Sequence, residues 1–127
     1  MFEGVYTALV TPFSRESDGG TTIDFTAWGD LLEWQLSCGV SGFVIYGTTG
    51  ESATLSTDEK LELTKRTLEI VNGRVPVIAG TGSNNTAASV KMTKAVKELG
   101  VDGALAVAPY YNKPSQEGLV QHFTAIA

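Results

Sequence analysis

The chain is predicted to be an α/β protein: four consecutive strand–helix units, a (βα)4 half of a (β/α)8 TIM barrel with parallel strands. Three observations predict it. Short apolar runs alternate with segments of helical period along the whole length. The apolar runs lack the in–out alternation of a sheet with one wet face, as expected for parallel strands covered on both sides. The length, 127 residues, is about half of the roughly 250 that close eight such units. A flat doubly wound sheet of flavodoxin type is the rival arrangement.

The elements follow in order. Val5 to Val10, bounded by Thr11-Pro12, reads as the first strand, and the polar, Gly-rich stretch from Ser14 to Thr22 reads as a loop. Asp24 can cap a helix whose apolar face is Phe25, Trp28, Leu32 and Leu36, with Gly39 ending it. Gly42 to Tyr46 is the second strand and Gly47 to Leu55 a loop. Ser56-Thr57-Asp58-Glu59 has the form of a capping box. The helix it opens carries Leu61, Leu68 and Val71, pairs Glu62 with Arg66 at i, i+4, and stops at Asn72-Gly73. Val75 to Ala79 is the third strand, followed by the loop Gly80 to Asn84 and a helix with Met92, Val96 and Leu99 on one face and Gly100 at its end. Gly103 to Val107 is the fourth strand and Ala108 to Pro114 its loop; Ser115 caps a last helix bearing Leu119, Phe123 and Ile126. Gly39-Val40-Ser41-Gly42 recurs as Gly100-Val101-Asp102-Gly103 at the same place in the alternation, an internal repeat of two units. The whole, residues 1–127, reads as a single domain. A curved sheet of four strands leaves its first and last strands as bare edges. Association through them into a homo-oligomer is therefore expected.

Composition excludes several classes. Nine basic residues against 14 acidic give a net charge of −5 with no Lys/Arg cluster, so no nucleic-acid partner is expected. No run approaches the roughly 20 apolar residues of a membrane span, and Met1-Phe2-Glu3-Gly4 lacks the basic start of a signal peptide. Cys38 is the only cysteine, which rules out an internal disulfide and suits a reducing cytoplasm. Lying before Gly39, it reads as a buried small apolar residue. A single histidine, His122, and a single cysteine supply no zinc set, so no metal and no cofactor is expected.

In βα proteins function collects in the loops after the strands. Gly47-Thr48-Thr49-Gly50-Glu51-Ser52 offers two hydroxyls and exposed amides between glycines, which suits a cradle for a small carboxylate. It equally suits a polar turn whose threonines bond locally. Gly80-Thr81-Gly82 lacks both the Gly-Lys-Ser/Thr ending and the third glycine of nucleotide loops. The adjacent phenols Tyr110 and Tyr111 suit either proton relay or aromatic packing at an interface.

Taken together, Gly47-Thr48-Thr49-Gly50-Glu51-Ser52, Gly80-Thr81-Gly82 and the stretch from Pro109 to Gly118 resemble the dihydrodipicolinate synthase family, pyruvate-dependent class I aldolases that include N-acetylneuraminate lyase. The resemblance runs the length of the chain and matches the N-terminal half of the family. It implies condensation of pyruvate with aspartate semialdehyde in lysine biosynthesis, through an imine on a lysine. It also implies that Thr49 binds the pyruvate carboxylate by hydroxyl and amide, with Gly47 and Thr48 beside it. Thr48 would belong to a proton relay, and Tyr111 would be the relay tyrosine that enters a neighbouring subunit's site. Tyr110 would be an interface residue near the site where lysine-inhibited members bind lysine. Thr57, Lys60 and Ala88 depart from the polar contacts those members make, so inhibition by lysine is not expected. The family's imine lysine lies on the sixth strand, which these residues do not include, and Lys113 has neither the burial nor the cationic neighbour to replace it. The expectation is a half barrel not catalytic alone: either a non-catalytic 2-keto-acid-binding pseudoenzyme, or one chain of a split synthase completed by a partner, or a truncated synthase.

Overall fold

The structure, a computed structural model, describes residues 2–127. Ten elements follow one another: β1 (Tyr6–Ala8), β2 (Phe13–Arg15), β3 (Thr21–Ile23), α1 (Phe25–Ser37), β4 (Gly42–Ile45), α2 (Thr57–Val71), β5 (Val77–Gly80), α3 (Thr86–Leu99), β6 (Gly103–Leu105) and α4 (Gln116–Ile126). β1, β4, β5 and β6 form one parallel sheet in that order, with registers Thr7–Phe43, Val44–Ile78 and Ala79–Ala104. Each strand pairs with the next in sequence. That order never reverses, as a barrel requires and a doubly wound sheet forbids, so the flavodoxin-type alternative is set aside.

The predicted helix signals act as expected. Asp24 accepts from the Ala27 amide at 2.9 Å and Ser115 from the Gly118 amide at 3.2 Å. The Ser56–Glu59 box is closed in both directions, and these bonds hold the Glu59 carboxyl below its usual pKa. Asn72 and Gly100 take the left-handed backbone that ends α2 and α3. Glu62 and Arg66 pair at 2.9 Å, though both are too exposed for the pair to add much stability.

The repeat has a structural reason. The Ser41 hydroxyl accepts from the Val5 amide at 3.0 Å while the Ser41 amide donates to the Val5 carbonyl at 2.8 Å. Asp102 does the same to Val77, its carboxylate accepting at 2.8 Å and its amide donating at 2.9 Å. In both copies a polar residue between helix and strand fastens the start of a neighbouring strand, fixing the register of the sheet.

Two expectations are corrected, and two helix faces are defined. The segment from Ser14 to Thr22 is not simply a loop: β2 and β3 pair antiparallel, Phe13 opposite Ile23, around a turn closed by Gly19 and Gly20. Three-residue strands with mostly exposed side chains carry too little periodicity to stand out. Cys38 is exposed rather than buried, because it caps α1 on the outer side of the chain's turn. On α2 the inward seam runs through Leu63, Thr64, Thr67 and Val71, with Leu61 and Leu68 only partly buried. On α4 the buried residue is His122, while Phe123 is exposed, because α4 packs on α3 and its other side is uncovered. The predicted strands are also shorter than read, by one to three residues at their ends.

The core lies between the sheet and α1–α2. Trp28, Leu32, Phe43, Ile45, Leu63 and Val77 are fully buried there. Trp28 reaches across with its indole N–H to the Thr67 hydroxyl at 3.1 Å, and Thr67 passes a hydrogen bond on to the Leu63 carbonyl. Besides Trp34 on α1, the exposed large apolar residues gather at the two bare sheet edges. Phe2, Val5 and Val10 flank β1; Leu105, Val107, Tyr110, Tyr111, Val120 and Phe123 run from β6 into α4. No helix is long and apolar enough to cross a membrane among the described residues.

Candidate active site

The C-terminal ends of β4, β5 and β6 open onto one cavity of about 540 Å³. Its wall includes Gly47 and Thr48 from the loop after β4, Gly80 and Gly82 from that after β5, and Leu105, Val107 and Tyr110 from β6 and its loop. Three of the residues singled out in the sequence, Gly47, Thr48 and Tyr110, thus meet in one place. Thr49 is exposed on the same loop but outside the wall, and Tyr111 is 92% exposed.

The β4 loop is pinned at nearly every point except its threonines. The Thr11 hydroxyl donates to the buried Gly50 carbonyl at 2.7 Å. The Glu51 amide donates to the Thr48 carbonyl at 3.1 Å, the Ser52 amide to the Gly47 carbonyl at 3.3 Å, and the Thr54 hydroxyl to the Glu51 carbonyl at 2.9 Å. Gly50 is required by close approach: a Cβ there would stand 2.8 Å from Tyr46 Cα and 2.9 Å from the Leu9 carbonyl oxygen. Backbone strain marks both ends, with φ of +34° at Tyr46 and +58° at Glu51. Within this frame, and among the described residues, the hydroxyls and amides of Thr48 and Thr49 have no protein partner. Four donors on two adjacent residues of a braced loop are thus left without a protein partner, and hydroxyls and amides so placed can receive an anion.

The other loops are already committed. Thr81 is buried, takes a hydrogen bond from Thr93 at 2.8 Å, and gives its amide to the Leu105 carbonyl at 3.0 Å. That leaves Gly80-Thr81-Gly82 no free cradle. The β6 loop is tied to the β5 loop by Asn112, whose amide nitrogen donates to the Asn84 carbonyl at 2.7 Å. On either side of Asn112, Tyr111 and Lys113 have φ of +67° and +49°, a contour that holds Tyr111 out into solvent.

Sequence reasoning gave no cavity role to Ser83, quoted Ser52 only within its loop motif, and named Lys60 only as a departure from the lysine-binding pattern. Lys60 is the lysine of the wall, half-buried one turn into α2, and burial pulls its pKa below the usual lysine value. The signal was present: Lys60 stands four residues after the Ser56 cap and so faces back over the loop that precedes the helix. Lys113 is exposed and outside the wall. The cavity therefore combines hydroxyls and one cation with Leu55, Leu105, Val107 and the carboxylate of Glu51. A small acid with a short apolar body suits such a lining.

The chain matches the model of the dihydrodipicolinate synthetase family over residues 1–127. It is 54% identical over 126 residues to the 4-hydroxy-tetrahydrodipicolinate synthase of Bacillus subtilis, covering 99% of this chain and 42% of that protein. Among solved structures, the dihydrodipicolinate synthase of Bacillus anthracis superposes with a TM-score of 0.91 at 50% identity, over 99% of this chain and 42% of that one. The chloride-inhibited synthase of Acinetobacter baumannii, solved with pyruvate, superposes with a TM-score of 0.93 at 46% identity, over 99% of this chain and 42% of that one. The chain thus spans about two-fifths of the length of the relatives it matches, and its four βα units correspond to the N-terminal half of their TIM barrel. By sequence and by fold alike, it belongs to the dihydrodipicolinate synthetase family.

Proposed function

We propose that residues 1–127 form the 2-keto-acid-anchoring half of a dihydrodipicolinate synthase site. The family reaction joins pyruvate to aspartate semialdehyde, an early step of lysine biosynthesis. In this reading Thr49 takes the pyruvate carboxylate on its hydroxyl and amide, and Thr48 stands in a proton relay whose tyrosine, Tyr111, serves a neighbouring subunit. The observation that carries it is the unengaged hydroxyls and amides of Thr48 and Thr49 on a loop pinned at the Gly47, Thr48, Gly50 and Glu51 carbonyls. The exposure of Tyr111 supports a role outside its own cavity. The pyruvate bound to the Acinetobacter baumannii relative supports the ligand class.

The amine that forms the imine is assigned to polypeptide outside these residues. A Schiff-base lysine must meet the keto carbon while a neighbour holds the carboxylate. Lys113 is outside the cavity, and Lys60 projects from a helix rather than from a strand end. These residues alone therefore bind without catalysing. The test is a pyruvate titration followed by ¹H–¹⁵N NMR. Amide shifts centred on Thr48, Thr49 and Gly50 are expected, saturating in the millimolar range, and an unchanged spectrum at tens of millimolar would sink the reading.

A further inference from the structure

Tyr46 is the residue between β4 and the threonine loop. Its side chain is fully buried, with Oη 2.7 Å from Thr64 Oγ1 on α2. The direction of that bond is fixed by its neighbour. Thr64 Oγ1 has a single hydrogen and donates it to the Lys60 carbonyl at 2.8 Å. The phenol must therefore donate, giving a directed chain from Tyr46 to Thr64 to the backbone of Lys60. Both ends of this chain belong to the cavity wall: the loop that starts at Gly47, and the turn of α2 that carries Lys60. The Tyr46 backbone, at a φ that side chains rarely adopt, is held close by Gly50 on one side and Gly80 on the other. A strained backbone persists only where its surroundings determine it, and the phenol is a polar side-chain anchor here, beside the Thr11 hydroxyl on the Gly50 carbonyl.

We propose that Tyr46 and Thr64 act as a positioning pair, bolting the threonine loop to α2 so that Thr48 and Thr49 present their free donors in one fixed arrangement. The role rests on the reading of that loop as the keto-acid anchor. Both side chains are fully buried, although Tyr46 also borders the cavity, and the pair acts through the loop it holds.

The experiment uses the whole chain with Tyr46→Phe, Thr64→Val and the double variant. Each single variant removes the bond while keeping side-chain volume. The first readout is amide hydrogen exchange at Glu51 and Ser52, whose N–H groups close the loop. Exchange there is expected to rise about 10-fold or more, while amides in the middle of α3 change by less than about 2-fold, the pattern of a local opening. The second readout is pyruvate affinity, expected to weaken about 5–10-fold in either single variant and no further in the double, the non-additivity of a coupled pair. Unchanged loop exchange, or a rise shared equally by α3, would overturn the positioning role. A wild-type chain that binds no pyruvate would defeat the keto-acid reading instead, and the exchange comparison would still decide the pair.

Discussion

At the scale of single residues, the buried phenol of Tyr46 has a signature of its own. Burial pushes its pKa up to about 12. The unfolded chain would ionise this phenol near pH 10. Between pH 10 and about 12 the unfolded state therefore holds fewer protons than the native state, and stability falls as pH rises. Below pH 10 the contribution is fully present and flat. Denaturant unfolding of wild type against Tyr46→Phe should show it: the difference between the two curves loses about 2–3 kcal/mol across that window. A difference independent of pH would mean that the phenol is not buried as described. Other site residues differ in how much of their role could be read in advance. Gly47 and Thr48 line the cavity where loop motifs after strands announce a site, whereas Tyr110, read as an interface residue, lines it too. Lys60 and Ser83 were not legible, since a lysine or serine near a helix start looks like any surface residue until the cavity beside it is known.

At the scale of elements, caps and stops were the most legible features, because each is a local contract between one side chain and one or two amides. Asp24, Ser56, Asn72, Gly100 and Ser115 all act where the sequence placed them. The β2–β3 hairpin escaped notice because its strands are three residues long and mostly exposed, with Ile23 alone buried in the core. The inward seam of α2 was not legible for a different reason: Thr64 and Thr67 are polar by composition, yet each is buried by handing its hydrogen to a carbonyl four residues back and accepting a bond from Tyr46 or Trp28. The bare edges β1 and β6 lead to a prediction at this scale. Each edge is flanked by exposed apolar side chains, such as Val5 at 68% and Val120 at 66% exposure, and unpaired parallel edges recruit other chains. Sedimentation at micromolar concentrations should find a discrete oligomer rather than a monomer; a monomer across the whole range would show that the edges do not pair.

At the scale of the whole molecule, the four βα units build a sheet, one covered face and one half of a cavity. The alternation of elements made this arrangement legible from sequence, and the sequential strand order settles it against the doubly wound rival. The division of labour in the site follows from the same geometry. Strand ends β4 to β6 supply hydroxyls, amides and a phenol, which in the proposed reading hold a carboxylate and move protons, but no strand end among them carries an amine. The most direct test is reductive trapping: pyruvate and borohydride are added to the 127-residue chain, alone and mixed with the remaining segment of the Bacillus subtilis relative, and intact masses are measured. The account predicts no added mass on this chain in either sample, with the adduct appearing on the added segment. An adduct on this chain, at the cavity lysine Lys60 or at Lys113, would contradict it and place the imine within these residues.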